Sequence, residues 1–172
     1  MAQTLDCEPA ERTIIENFDA EFAGLHERSC RLIVSTPLEA LYRAPFAPKA
    51  EVASSHSVGE CVLRSAGVVE QTFGGITTNL WDDPFEWTLP ETLSTPARVL
   101  EYLGEVEDTR QRAFASLRVD GDLLKRVATP SDNMRPIISL LLDTLVRAQS
   151  YQGRALFIVE TLSLTEPNRF MI

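Results

Sequence analysis

The stretch SVGECVLRSAGVVEQTFGGI, residues 57–76, decides how the rest of the chain is read. It opens on Ser57, with Glu60 three residues later. That S-x-x-E spacing is a capping box, in which hydroxyl and carboxylate each satisfy a backbone N–H left open at the start of a helix. Val58, Cys61, Val62, Val68, Val69, Phe73 and Ile76 then supply the apolar side of a helix. The Gly74-Gly75 pair is expected to mark where that helix frays.

Upstream, the segment from about Glu11 to Val34 reads as another helix, with Ile14, Ile15, Phe18, Phe22, Leu25, Leu32 and Ile33 on one stripe. Pro37, Pro45 and Pro48 break regular structure around a loop that holds Leu38, Leu41, Tyr42 and Phe46, part of it compatible with a short helix. Downstream comes a long connection, Thr77 to Ser94, carrying Trp81, Pro84, Phe85, Trp87 and Pro90. Antiparallel neighbours need only about two to eight linking residues, so this length suits a chain that returns along the helices, its aromatics packed as a strap. Thr95 and Pro96 are a favoured cap and first residue for a third helix. Its stripe of Val99, Leu103, Val106, Ala113, Phe114 and Leu117 is interrupted by Arg110. Gly121 and Asp122 turn the chain, and Leu123 and Leu124 are expected in the core. A last helix is predicted from about Asn133 to Leu162, with Pro136 in its first turn and Ile137, Leu140, Leu141, Leu145, Phe157 and Val159 buried. No strand pattern stands out beyond a brief alternation at Glu86–Leu89. Four amphipathic helices in one chain predict a single all-α domain spanning residues 1–172, a four-helix bundle.

Composition fits that reading. At 172 residues, 44% hydrophobic and 24% charged, the chain has the make-up of a globular domain. A net charge of -9 argues against a nucleic-acid partner, which requires a basic face. No apolar run approaches the roughly 18 residues of a membrane span. Met1 to Glu11 is polar and acidic, unlike a signal peptide. Cys7, Cys30 and Cys61 are few, odd in number and without CxxC spacing, which predicts free structural thiols and a cytoplasmic protein.

The order of these features resembles the DinB/YfiT-like family. The resemblance rests on Pro37 with its apolar loop, on Ser57-Val58-Gly59-Glu60, on the Trp-Thr-Leu-Pro stretch at 87–90 and on the region of Gly153. It implies a four-helix bundle in up-down-down-up order, which would use the long middle connection, and bundle helices that pair two copies as a homodimer. Active members of the family are implied to hold a divalent metal with three histidines. One lies four residues after the capping-box glutamate, and two more form an H-x-x-x-H-R-G-Q pattern on the last helix.

Those positions carry Arg64, Arg147 and Tyr151, the last two within Arg147-Ala148-Gln149-Ser150-Tyr151-Gln152-Gly153-Arg154. Arginine stays protonated and offers no lone pair, so the expectation is no metal and no cofactor. His26 and His56 fall elsewhere in the chain. The resemblance aims Arg64, Arg147 and Tyr151 at one inter-helical cavity, with Arg110 approaching from the third helix. There they would bind a small anion through arginine forks. The competing reading is an internal ion-pair network. Glu60 precedes Arg64 by four residues and Asp143 precedes Arg147 by four, with Glu70 or Glu107 as further partners, and their spacing favours this reading.

Ser57 is read as a cap rather than a nucleophile, His56 as an exposed loop residue, and Trp81 and Trp87 as packing. The sequence thus favours a metal-free, non-catalytic bundle that binds a small anionic ligand or a protein partner. The alternative is a thiol-dependent S-transferase or isomerase of the family type with altered active-site residues.

Overall fold

The structure is a computed structural model that describes residues 11–44, 56–82, 88–131 and 133–165, with side chains up to Ser163. Expectations that fall on Cys7, Pro45, Phe46, Pro48, Pro84, Phe85, Glu86, Trp87 and Asp132 lie outside the described residues. Among the described residues the architecture is all-α apart from one small hairpin. In chain order it comprises α1 (Thr13–Ser35), α2 (Leu38–Leu41), α3 (Val58–Thr78), α4 (Pro96–Ser116), a 3-10 turn (Asp120–Leu124), β1 (Arg126–Ala128), β2 (Met134–Pro136) and α5 (Ile137–Thr165). No helix among the described residues is long and apolar enough to cross a membrane.

Local chemistry sets the helix starts. At α3 the Ser57 hydroxyl accepts from the Glu60 N–H at 3.2 Å, and the Glu60 carboxylate accepts from the Ser57 N–H at 2.7 Å. At α4 the Thr95 hydroxyl accepts from the Arg98 N–H, with Pro96 in the first position. The start of α1 is capped from a distance instead: the Asp120 carboxylate accepts from the Ile14 and Ile15 N–H groups at 3.0 Å each, and Arg12 donates to the Leu117 carbonyl. An acid at a helix N-terminus also opposes the helix dipole.

The four long helices share one apolar core, in which α3 packs against α5 and α4, and α1 against α4 and α5. Their directions follow from the paired residues. Phe22 meets Phe73 at 5.1 Å between ring centroids, and both meet Phe114. The Ser65 hydroxyl donates to the Ala148 carbonyl, while Thr72 bonds Thr144 at 2.6 Å, so α3 and α5 run antiparallel. Glu70 with Tyr102 and Phe73 with Phe114 make α3 and α4 parallel. Arg110 beside Asp19 and Glu107 near His26 make α1 and α4 antiparallel. Gln152 ties α5 to α1, donating to the Leu25 carbonyl and the Ser29 hydroxyl and accepting from Arg28.

Several expectations are corrected. Helix α3 does not fray at Gly74-Gly75 but continues to Thr78, where Asn79 closes it in the left-handed conformation. Gly75 is required there for packing: a Cβ would lie 2.5 Å from ring carbons of Trp81, which lies directly on the helix. Residues 126–128 and 134–136 form an antiparallel hairpin, so Pro136 ends a strand and α5 begins at Ile137, not Asn133. Thr129 holds the hairpin by donating from its N–H and its hydroxyl to the Asn133 carbonyl. Leu124, Phe157 and Ile14 are exposed rather than buried, because each lies on the outer side of its element. His56 is half-buried rather than exposed.

Candidate functional site

Four residues were expected to converge; the structure sets Arg110, between α4 and α1, apart from the other three. Arg110 projects from α4 toward α1 and is 4% exposed. Glu107, one turn earlier on α4, receives its Nε and Nη2 at 2.8 and 2.6 Å, while Nη1 meets the Asp19 carboxylate. Its guanidinium also lies over the Phe114 ring, 5.6 Å from the centroid. Burial alone would lower the pKa of Arg110, but the hydrogen bonds and charges of Glu107 and Asp19 hold it above its ordinary value. Glu107 is shifted the other way: burial opposes its charge, and the bonds from Arg110 and Gln111 overcome that and keep its carboxyl below the usual range. Around this pair Phe22, His26, Ser29, Ser65 and Val106 leave about 20 Å³. That is room for one water, not for a ligand.

His26 and Cys30 border the same ion pair, one turn apart on α1, with Sγ and Nε2 at 3.5 Å. Burial, and secondarily the Glu107 charge, push the Cys30 thiol up, so it is not an activated thiolate. Sequence reasoning passed over this cluster; the i, i+4 spacing of His26 and Cys30 was the available signal.

Arg64, Arg147 and Tyr151 lie on the helices that meet where α3 crosses α5. Arg64 and Arg147 directly precede Ser65 and Ala148, the hydrogen-bonded pair at the crossing. Tyr151 is half-buried, with the Arg154 guanidinium over its ring at 5.5 Å. Cys61 is fully buried nearby, and its thiol is pushed up to about 11 by burial, against the opposing charges of Arg154 and Arg64.

Of the expected i, i+4 partners, Glu60 closes the capping box at Ser57 through one carboxylate oxygen. Asp143 accepts from Arg135, the middle residue of β2, and not from Arg147. Arg147 is exposed, and among the described residues no ion pair or hydrogen bond engages its guanidinium. It lines a groove of about 470 Å³ together with Arg135, Asp143, Thr129, Ser131, Trp81 and other residues. Two guanidinium groups face one carboxylate there, a locally positive site on a chain of net charge -9. Of the four expected residues, Arg147 alone lines it.

The metal that the family resemblance implies finds no donor set at its three positions. Two are arginines, which cannot ligate, and the third offers one phenol. Among the described residues no group of three His, Cys, Asp or Glu side chains is placed to hold a metal ion. No family model, no curated protein and no solved structure matches the chain.

Proposed function

We propose that the chain is a degenerate-site four-helix bundle of the DinB/YfiT-like type that binds a small anion, a carboxylate or a phosphate group, in the groove at Arg147. The parallel pair α3 and α4 between antiparallel neighbours supports the bundle type, since that is up-down-down-up order. One observation carries the ligand reading: Asp143 is taken by Arg135, which leaves Arg147 facing solvent without a carboxylate. An arginine fork offers paired donors suited to two oxygens of an anion. The Ser131 hydroxyl lines the same groove and can turn toward an anion, whereas the Thr129 hydroxyl is committed to the Asn133 carbonyl. A thermal-shift series of small carboxylic acids and phosphate esters tests the reading, because selective binding to the folded state raises the melting temperature. Stabilisation of the wild type that disappears in Arg147→Ala is expected. Silence across the series, or a shift that survives the substitution, overturns it.

A second reading, that two copies pair through α5, is favoured by the outer face of that helix. Leu142, Val146, Leu156 and Phe157 are exposed, Val146 at 66% and Phe157 at 58%. They lie in two apolar pairs on either side of Gln149 and Gly153. A two-fold axis through that middle would lay each pair on the opposite pair of the second copy, as an isologous contact requires. Sedimentation of wild type and Val146→Glu decides it: a dimer converted to monomer is expected, and a monomeric wild type at micromolar concentration overturns it.

A further inference from the structure

A second groove lies on the other side of Trp81, between the C-terminal half of α3 and α4. It measures about 360 Å³ and is lined by Glu70, Gly74, Thr77, Thr78, Asp82 and Arg112 among others. Its length along α3, Glu70 to Thr78, is about 12 Å at the helical rise of 1.5 Å per residue. That size falls at the lower end of small-molecule sites, about 300–1,000 Å³. At Gly74 the wall lacks a side chain, and a Cβ there would stand 3.3 Å from the Leu80 carbonyl.

The polar groups at its two sides are incompletely used. Glu70 is half-buried, and one carboxylate oxygen accepts from the Tyr102 hydroxyl at 2.6 Å. A carboxylate has roughly four acceptor positions, yet among the described residues no second side-chain donor reaches this one. Burial pushes its pKa up, against the Tyr102 hydrogen bond, and Glu105 adds a like charge. A cation delivered into the groove would relieve both. Arg112 does not do so. Its Nε donates to the Asp108 carbonyl at 3.2 Å and its Nη2 to the Thr109 hydroxyl at 3.1 Å, which holds the guanidinium along its own helix. Nη1 carries no hydrogen bond among the described residues, and Arg112 lines the groove. The Thr77 and Thr78 hydroxyls donate to the Phe73 and Gly74 carbonyls and keep their oxygens as acceptors. Glu70 and Asp82 against Arg112 make this groove acidic, where the Arg147 groove is basic.

We propose that this groove binds a small amino-acid-like zwitterion, its ammonium group on Glu70 and its carboxylate on Arg112. The site is independent of the anion groove, although Gln71 lines both. Gln71 also donates to the Trp81 carbonyl and so holds the partition between them.

Calorimetric titration of the full chain with ω-amino acids from glycine to 6-aminohexanoate tests the proposal. The best member is then compared with the amine and the acid that each carry one of its two groups. Binding of the zwitterion at least tenfold tighter than either is expected. Glu70→Gln keeps an acceptor for Tyr102, so it preserves the fold while removing the charge, and should weaken binding at least tenfold. Arg112→Ala should reduce the zwitterion to the affinity of the plain amine, and Arg147→Ala should leave it unchanged. Silence across the series, equal binding of the plain amine to wild type, or unchanged binding in Glu70→Gln overturns the proposal.

Discussion

Arg110 and Arg147 both interrupt apolar surroundings on long helices, and both have an acidic residue within one turn, yet the fold treats them oppositely. Glu107 turns inward with Arg110, and Asp19 arrives from α1 to close the pair within the α1–α4 contact. Asp143 turns toward the β-hairpin, and Arg147 is left in the open groove. The difference lies in burial. A guanidinium removed from water needs full compensation, so the α4 site keeps two carboxylates. An exposed one is solvated by water and can be left for a ligand. Spacing along a helix therefore proposes a partner, and the surrounding elements decide whether it is used.

The largest expected effect comes from breaking the buried member. Arg110→Met would strand Glu107, whose side chain is 15% exposed, together with the half-exposed Asp19. Removing one partner of a buried pair costs about 3–5 kcal/mol, and the exposure of Asp19 places the expected loss at about 3 kcal/mol in denaturant unfolding. The pH dependence sharpens the test. Glu107 titrates below its ordinary value in the folded protein, so the stabilisation it contributes is present above about pH 4.5 and is lost as the pH falls through its depressed folded pKa. The gap between wild type and variant should therefore be widest near neutral pH and narrow in acid. A gap that does not change with pH would mean that packing against Phe114, not charge, holds Arg110.

A smaller effect is expected where Trp81 divides the two grooves. Alanine is a better helix former than glycine by about 1 kcal/mol, so Gly75→Ala would stabilise an unobstructed helix. Here the new Cβ would sit 2.5 Å from the Trp81 ring, and overpacking of that kind costs about 1–3 kcal/mol. The net expectation is a loss of up to about 2 kcal/mol, read from thermal unfolding, with a red shift in tryptophan emission as the ring leaves the helix. A more stable variant with unchanged emission would show that the partition yields easily.

The helices were legible in the sequence because their signals are local. Ser57 with Glu60 and Thr95 with Pro96 mark two helix starts that the structure reproduces. The hairpin was not legible: three-residue strands around Thr129-Pro130-Ser131 carry too little alternation to register, and their pairing depends on Thr129 reaching Asn133. The cap of α1 was equally hidden, since Asp120 is more than a hundred residues away in sequence. At the candidate site the sequence singled out Arg147 and Arg110 as unusual. It grouped them as if they faced one cavity, because stripe position gives a face on one helix but not the neighbour that the face meets. Glu70 was weighed only as a partner for arginine, and its bond to Tyr102 needed the α3–α4 register to be seen.

The smallest expected change in stability belongs to Arg147→Ala, and its smallness is what separates the two arginines. The side chain is exposed and makes no ion pair among the described residues, so its loss should move unfolding by no more than about 0.5 kcal/mol. Alanine also suits a helix interior, so backbone propensity adds no penalty. If the groove is an anion site, this near-silent substitution removes ligand-induced stabilisation while the unliganded melting temperature stays put. A loss of stability near that of Arg110→Met would instead mark Arg147 as a structural charge with a carboxylate partner. The positive groove would then be part of the scaffold and not a place where a ligand binds.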